Sequence, residues 1–206
     1  MKTIKIILFP VLFFLVIACN DKKETASKDN ITTTASSVPV DAIIITPTAT
    51  GQVDTIKKSL KAIVEGKIGK AGVKINYHSP AVRNRVIWGG LVPFDQVWVT
   101  GAHKATTFET DTDLVIGGKK ISAGKYAIFS IPGKDEWTII INKKWDQHLA
   151  DDYNVNDDVL RLQVKPETVP GVQERLMYLL SSTTDQTGGI EFYWEKIRLV
   201  IPVQVL

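Results

Sequence analysis

The sequence contains few of the residues that build covalent cross-links and metal-centred sites. Of its 206 residues, one is cysteine and three are histidine. One thiol cannot form a disulfide within the chain, and it cannot supply the several thiolates that hold a structural zinc ion or an iron–sulfur cluster. Any domain in this chain therefore folds without internal disulfides and relies on a hydrophobic core.

The chain also lacks a large excess of charge of one sign. The formal net charge is +3, and Lys2 and Lys5 at the amino terminus supply two of these positive charges. Proteins that hold nucleic acid use many basic residues to neutralise phosphates. The charge balance of the remaining residues therefore gives no support for nucleic acid as a partner.

A hydrophobic run occurs at the amino terminus. Lys2 and Lys5 precede an apolar stretch over residues 6–17, and Ala18 stands directly before Cys19. Because a membrane-spanning helix needs about 20 apolar residues, this shorter run predicts a signal peptide over residues 1–18. The sequence VIAC resembles the lipobox of bacterial lipoproteins, which implies an acylated Cys19 and an exported envelope protein anchored to the membrane. An ordinary secretory signal is the alternative.

The rest of the chain divides by composition. Residues 19–58 are rich in Thr, Ser, Ala, Lys and Asp, which predicts a flexible tether that follows the lipidated cysteine. Residues 59–206 alternate short runs of Val, Ile, Tyr, Phe and Trp with Gly, Pro, Asn and Asp, as strands and turns do. We therefore expect one all-β domain over residues 59–206.

About ten short strands predict an antiparallel β-sandwich, with a barrel as the less favoured architecture. The run KYAIFSI, residues 125–131, is apolar on both faces, so that strand should be covered on both sides. Candidate strands also include VWVTG, residues 97–101. The one helical candidate is short: KKWDQHLADDY, residues 143–153.

Two long strings carry a resemblance to a known family. They are YHSPAVRNRVIWGGLVPFDQVWVTGAHKATTFE and GGKKISAGKYAIFSIPGKDEWTIIINKKWDQHLADDY. Both resemble the domain of unknown function 2911 family of exported bacterial proteins. The resemblance implies no reaction, ligand or catalytic residue. The sequence differs from the family pattern at Val99 and His103, where Arg and Asn are usual, which suggests a subgroup with an altered site.

The three histidines, His78, His103 and His148, lie in or at the edge of these strings. Neutral imidazoles from separate strands could converge on a divalent zinc, copper or nickel ion, although the spacing matches no local ligand motif. The alternatives are a turn cap at His78, a loop position for His103 and a solvent-facing His148.

A second candidate cluster combines cations with aromatic rings and could hold carboxylates, phosphates or sugars. Its members are Arg83, Arg85, Trp88, Trp98 and Lys104. The alternative, which we favour, places both tryptophans in the core and pairs the arginines with surface acids.

Motifs for hydrolysis are absent from the sequence. The adjacent acids Asp151 and Asp152 cannot give the separation that paired carboxylate catalysis needs, and Ser79 and Ser130 lack the GxSxG context. The sequence therefore favours a non-enzymatic binding or accessory module for a small ligand or another envelope protein. A metal-binding protein or metal-dependent enzyme using the three histidines is the alternative, and a structural envelope component is a third.

Overall fold

The computed structural model describes residues 56–206, which form ten β-strands and one short 3-10 turn, Val155–Asp157. The predicted signal peptide, Cys19 and nearly all of the predicted tether lie outside the described residues. Within residues 56–206, no helix is both long enough and apolar enough to cross a membrane.

Six of the strands form one sheet, and four form a second. The larger sheet has the order β1-β2-β3-β6-β7-β8, and the smaller has the order β5-β4-β10-β9. Every pair of neighbouring strands is antiparallel. The strands are β1 Leu60–Ile68, β2 Ala71–Ser79, β3 Thr106–Thr110, β4 Leu114–Ile116, β5 Lys119–Ile121, β6 Gly124–Ile131, β7 Trp137–Asn142, β8 Asp158–Val164, β9 Glu167–Ser182 and β10 Thr187–Val205.

Alternation of apolar and polar residues explains how the two sheets meet. In β2 every second residue is buried, so that Val73, Ile75 and Tyr77 point inward. They join Phe108 of β3 and Phe192 of β10 in the main core cluster between the sheets. The predicted antiparallel β-sandwich is confirmed, and the sheets do not close into a barrel.

Strand β6 contributes to two cores, as its sequence predicts. Ile128 lies in the main core, whereas Ala127 and Phe129 belong to a second cluster on the outer face of the larger sheet. All three side chains are fully buried. The prediction that both faces of this strand are covered is confirmed.

Two local predictions are wrong. Residues 97–101 form no strand, because only Trp98 bridges to Ser130 before the backbone turns away at Thr100, whose φ is 50°. Residues 143–153 form no helix. Their backbone groups bond instead to other segments, and Leu149 has a φ of 53°, which no right-handed helix allows.

The start of the domain is held by a buried arginine of the opposite sheet. Arg175 in β9 donates from Nη2 to the carbonyl of Ile56 at 2.8 Å, and from Nη1 to the carbonyls of Lys58 and Ser79 at 3.2 and 3.0 Å. Arg83 also donates to the Ile56 carbonyl, at 2.8 Å. Residues 56–58 are therefore hydrogen-bonded to the domain, whose start the composition predicts at residue 59.

We expect a fragment of residues 56–206 to fold alone, with a circular dichroism spectrum of β-structure. A fragment of residues 59–206 should be less stable by about 1–3 kcal/mol, because a buried charged donor loses two of its acceptors. Urea denaturation of both fragments measures the difference. Equal free energies of unfolding would contradict this role for Arg175, and strong helical minima in either spectrum would contradict the fold.

Candidate functional site

The outer face of the larger sheet is apolar at one end and has to be covered by loops. Phe129 of β6 and Ile140 of β7 point to this face and are fully buried. Residues 97–105 and 143–157 supply the covering side chains, which include Val99 and Tyr153. Tyr153 meets the ring of Phe129 edge-on, with 5.2 Å between ring centroids. These two loops form one wall of the site described below.

The first covering loop, residues 97–105, is held in a strained conformation. Thr100 and His103 have φ values of 50° and 62°, which are uncommon for residues other than glycine and especially so for a β-branched threonine. The carbonyl of Thr100 accepts from the hydroxyls of Tyr178 and Thr106, each at 2.9 Å. The side-chain hydroxyl of Thr100 donates to Ser130 Oγ at 3.0 Å. Strain held by several buried bonds in this way is common at functional sites.

Tyr178 connects this loop to the smaller sheet. Burial raises the pKa of its hydroxyl, so the group stays protonated and can donate to Thr100. Its ring meets that of Tyr77 edge-on at 4.9 Å between centroids. The position of the loop is therefore set from inside the sandwich.

The second covering loop, residues 143–157, is organised by a buried amide at the end of β7. Asn142 donates from Nδ2 to the carbonyl of Asn154 at 3.2 Å and to Asp158 Oδ1 at 2.8 Å. Its Oδ1 accepts from the backbone N–H of Lys144 at 2.9 Å. One side chain thus binds both ends of the loop, which explains why the segment is ordered without being helical.

The two covering loops also bond to each other. The backbone N–H of Ala105 donates to the carbonyl of Gln147 at 3.0 Å, and that of Leu149 donates to the carbonyl of His103 at 2.7 Å. On the outside of this junction, Lys104 Nζ lies 3.1 Å from Asp146 Oδ1. Both of those side chains are largely exposed, so this ion pair contributes little to stability.

Beyond the loops, the same outer face of the sheet is polar and forms an open groove of about 480 Å³, which we call the basic groove. Its volume lies within the roughly 300–1,000 Å³ range of small-molecule sites. Four of its lining residues are lysines, whereas two are acids. The polar and aromatic lining residues are Lys61, Lys74, Asn76, Tyr77, His78, Lys104, Thr107, Glu109, Lys125, Trp145 and Asp146.

Strand register places these side chains in one patch. Lys61 of β1 lies opposite His78 of β2, and Asn76 of β2 lies opposite Thr107 of β3. Glu109 stands between two lysines, because it is opposite Lys74 on one side and Lys125 on the other. Side chains of directly opposite residues point to the same face of a sheet. The floor of the basic groove is therefore built from four neighbouring strands.

Trp145 of the second loop forms the rim of the basic groove. It is 41% exposed, unlike the other four tryptophans, which are buried or half-buried. The ammonium group of Lys125 lies 4.0 Å from the centre of its ring. This cation–π contact holds a positive charge beside an exposed aromatic surface.

His78, which lines the basic groove, contacts His103 of the first covering loop, with 5.3 Å between ring centroids in an edge-on arrangement. Burial, followed by the charges of His103, Lys61 and Lys104, lowers the pKa of His78 from its usual value of 6.5. His78 is therefore neutral near pH 7, where it can donate from one ring nitrogen and accept at the other.

The structure brings two of the three histidines together. The backbone of His148 forms an isolated antiparallel β-bridge with that of Lys104, and the His148 side chain is exposed. Among residues 56–206, no group of three or more histidine, cysteine, aspartate or glutamate side chains is arranged to hold a metal ion. The three-histidine site for zinc, copper or nickel stays a prediction, and the geometry adds only the His78–His103 contact to it.

The predicted cluster of cations and aromatic rings does not form one site. Lys104 lines the basic groove, whereas Arg83, Arg85 and Trp98 line a second groove of about 460 Å³. Arg85 donates to the carbonyls of Val82 and Ala81, so both arginines bind backbone rather than surface acids. The two arginines of the second groove therefore stabilise the fold.

Trp88 and Trp98 pack with Trp137 and Trp194 in an aromatic group, with ring centroids 4.7–6.4 Å apart. In the described part of the chain, the buried Nε1 atoms of Trp88 and Trp194 have no hydrogen-bond partner. Most of the ring pairs are edge-on, a geometry in which N–H groups can contact neighbouring ring faces. The tryptophans thus belong to the core, as the favoured alternative predicts.

Sequence reasoning missed the side chains that carry most of the basic groove, namely Lys61, Lys74, Asn76, Lys125 and Trp145. Alternation along β1 and β2 predicts that polar residues such as Lys74 and Asn76 share one face. It cannot predict which strands are neighbours, or that residues 143–153 lie across that face.

The lowered pKa of His78 makes the stability of the domain depend on pH. Between the folded and unfolded pKa values, the unfolded chain binds more protons at this residue, so stability falls as the pH drops below about 6.5. We expect urea denaturation midpoints to decrease from pH 7.5 to pH 5.5, and His78→Asn to reduce that decrease. An identical pH dependence in the variant would contradict this assignment.

Comparison with known proteins gives a family but no function. A family model described as a protein of unknown function, DUF2911, matches residues 59–203. Neither the curated proteins nor the solved structures contain a match to this chain.

Proposed function

This chain belongs to the DUF2911 family of proteins of unknown function. Its role has to be inferred from its own site, and we propose that it is an exported, lipid-anchored binding module for an anionic ligand. The observation that carries the proposal is the basic groove, in which four lysines and two acids face one concave surface. Such a surface attracts a ligand of negative charge.

The charges in the basic groove are only partly neutralised by protein partners. Lys74 Nζ lies 3.2 Å from Glu65 Oε2, and Lys104 Nζ lies 3.1 Å from Asp146 Oδ1. These pairs are partly or largely exposed and can rearrange at little cost. Lys125 is held by an aromatic ring rather than by a carboxylate. A ligand with acidic groups would therefore gain charge-assisted hydrogen bonds without breaking a buried ion pair.

A binding role also fits the rigidity of the walls. The strained backbone at Thr100 and the buried amide of Asn142 fix the two loops before any ligand arrives. A preformed site avoids the entropy cost of ordering loops on binding.

The binding proposal is tested with the double variant Lys74→Gln and Lys125→Gln. We expect the wild-type protein to bind small polyanions such as citrate and inorganic pyrophosphate saturably, and the affinity to fall as salt is added. Each lysine should contribute about two- to fivefold in affinity, because exposed ion pairs are worth up to about 1 kcal/mol. Calorimetry measures the dissociation constants.

The matched control is Lys134→Gln, since Lys134 is exposed in the turn between β6 and β7 and lines neither groove. It should bind like the wild type. The proposal is wrong if the wild-type protein binds no anion at millimolar concentration, or if the double variant and the control bind equally well.

The lipid anchor has its own test. Replacing Cys19 by Ala should abolish incorporation of labelled fatty acid and move the protein from the detergent phase to the aqueous phase, because several acyl chains give stable attachment to a membrane. Phase partition of both proteins after metabolic labelling measures this. Label in the Cys19→Ala protein would exclude the assignment of the anchor.

A further inference from the structure

We infer that the ligand of the basic groove is an acidic saccharide, that is, a sugar ring bearing carboxylate groups. This inference rests on the proposed binding of an anion and names its chemical class. It is drawn from the side chains that line the groove in addition to the lysines.

The groove contains acceptors as well as donors. Lysine ammonium groups can only donate hydrogen bonds, whereas the carboxylates of Glu109 and Asp146 can only accept. A ligand made of phosphate or carboxylate groups alone has no hydrogen-bond donor to offer these two acids. Sugar hydroxyls donate and accept, so they can use the acids and the lysines together.

Neutral polar groups lie at the centre of the groove floor. Asn76 Nδ2 lies 3.4 Å from Thr107 Oγ1, which is a weak hydrogen bond that a ligand could replace. Both side chains donate and accept. His78, neutral near pH 7, lies beside them on β2. Neighbouring groups that can both donate and accept hydrogen bonds suit a ligand that presents several hydroxyls.

The rim offers a flat apolar surface next to a fixed cation. Trp145 is 41% exposed, and Lys125 Nζ lies 4.0 Å from the centre of its ring. The C–H face of a sugar ring packs on an indole, and a carboxylate on the same ring would reach the ammonium group beside it. A short aliphatic anion such as citrate could use the cation but not the ring.

Three probes separate the possibilities: an oligomer of galacturonate, a neutral oligosaccharide of the same length, and citrate. We expect the acidic oligomer to bind at least tenfold more tightly than either of the others. Trp145→Ala should weaken the acidic oligomer about tenfold and change citrate affinity by less than threefold. Trp145→Phe, which keeps an aromatic ring, should restore most of the lost affinity. Calorimetry on the full chain in detergent gives the constants.

Tryptophan fluorescence provides a second readout. Four of the five tryptophans pack together in the core, so a change in emission or in iodide quenching on ligand binding should come from Trp145. The change should vanish in Trp145→Phe. As a control, Val86→Ala removes another exposed apolar side chain, 73% exposed, and should alter neither fluorescence nor affinity.

The outcomes distinguish this inference from the proposal on which it rests. If citrate and the acidic oligomer bind equally and Trp145→Ala affects neither, the saccharide assignment is wrong, whereas the anion site stands. If the neutral and acidic oligosaccharides bind equally and the lysine variants have no effect, the anion site is wrong. Absence of binding by all three probes overturns both.

Discussion

Water has to be excluded from both faces of β6, and this constraint shapes the side of the molecule that carries the basic groove. Ile128 faces the core between the sheets, while Ala127 and Phe129 face outward and are equally buried. Burying one phenylalanine side chain contributes about 1.5–3 kcal/mol to the stability of the fold, so covering the outer face stabilises the domain. The loops at residues 97–105 and 143–157 provide it and end where the sheet becomes polar. The basic groove begins at that border.

The interior of the sandwich also controls the geometry of the groove. Tyr178 belongs to the smaller sheet, yet its hydroxyl bonds to the carbonyl of Thr100 in the loop over the larger sheet. Ser79, at the end of β2, donates to the carbonyl of Leu176 at 2.6 Å and so binds the two sheets near His78. A shift of one sheet against the other would therefore move the wall of the groove. Core packing should therefore be coupled to the geometry of the groove.

Polar residues that resemble catalytic groups serve the structure instead. Ser130 accepts from Thr100, and Asp158 accepts from Asn142, Tyr153 and Arg161. Arg83 and Arg175 hold the carbonyl of Ile56, where the described domain begins. Most of these contacts are buried or partly buried, and they satisfy backbone and side-chain groups that loops would otherwise leave unpaired. Lys74 and Lys104 of the basic groove differ from them because their ion pairs are partly or largely exposed, and Lys125 contacts the exposed ring of Trp145.

The sequence by itself determined the all-β class, the double-sided burial of β6 and the family, because period-two alternation and long shared strings are local properties. It could not determine which strands are neighbours, so Lys61, Lys74 and Lys125, spread over three strands, could not be predicted to share a groove. Nor could it predict the shape of residues 143–153, where helix-compatible residues are bound by Asn142 and by the loop at residues 97–105. The tertiary structure decided these features, since hydrogen bonds and burial between distant segments outweigh local preference.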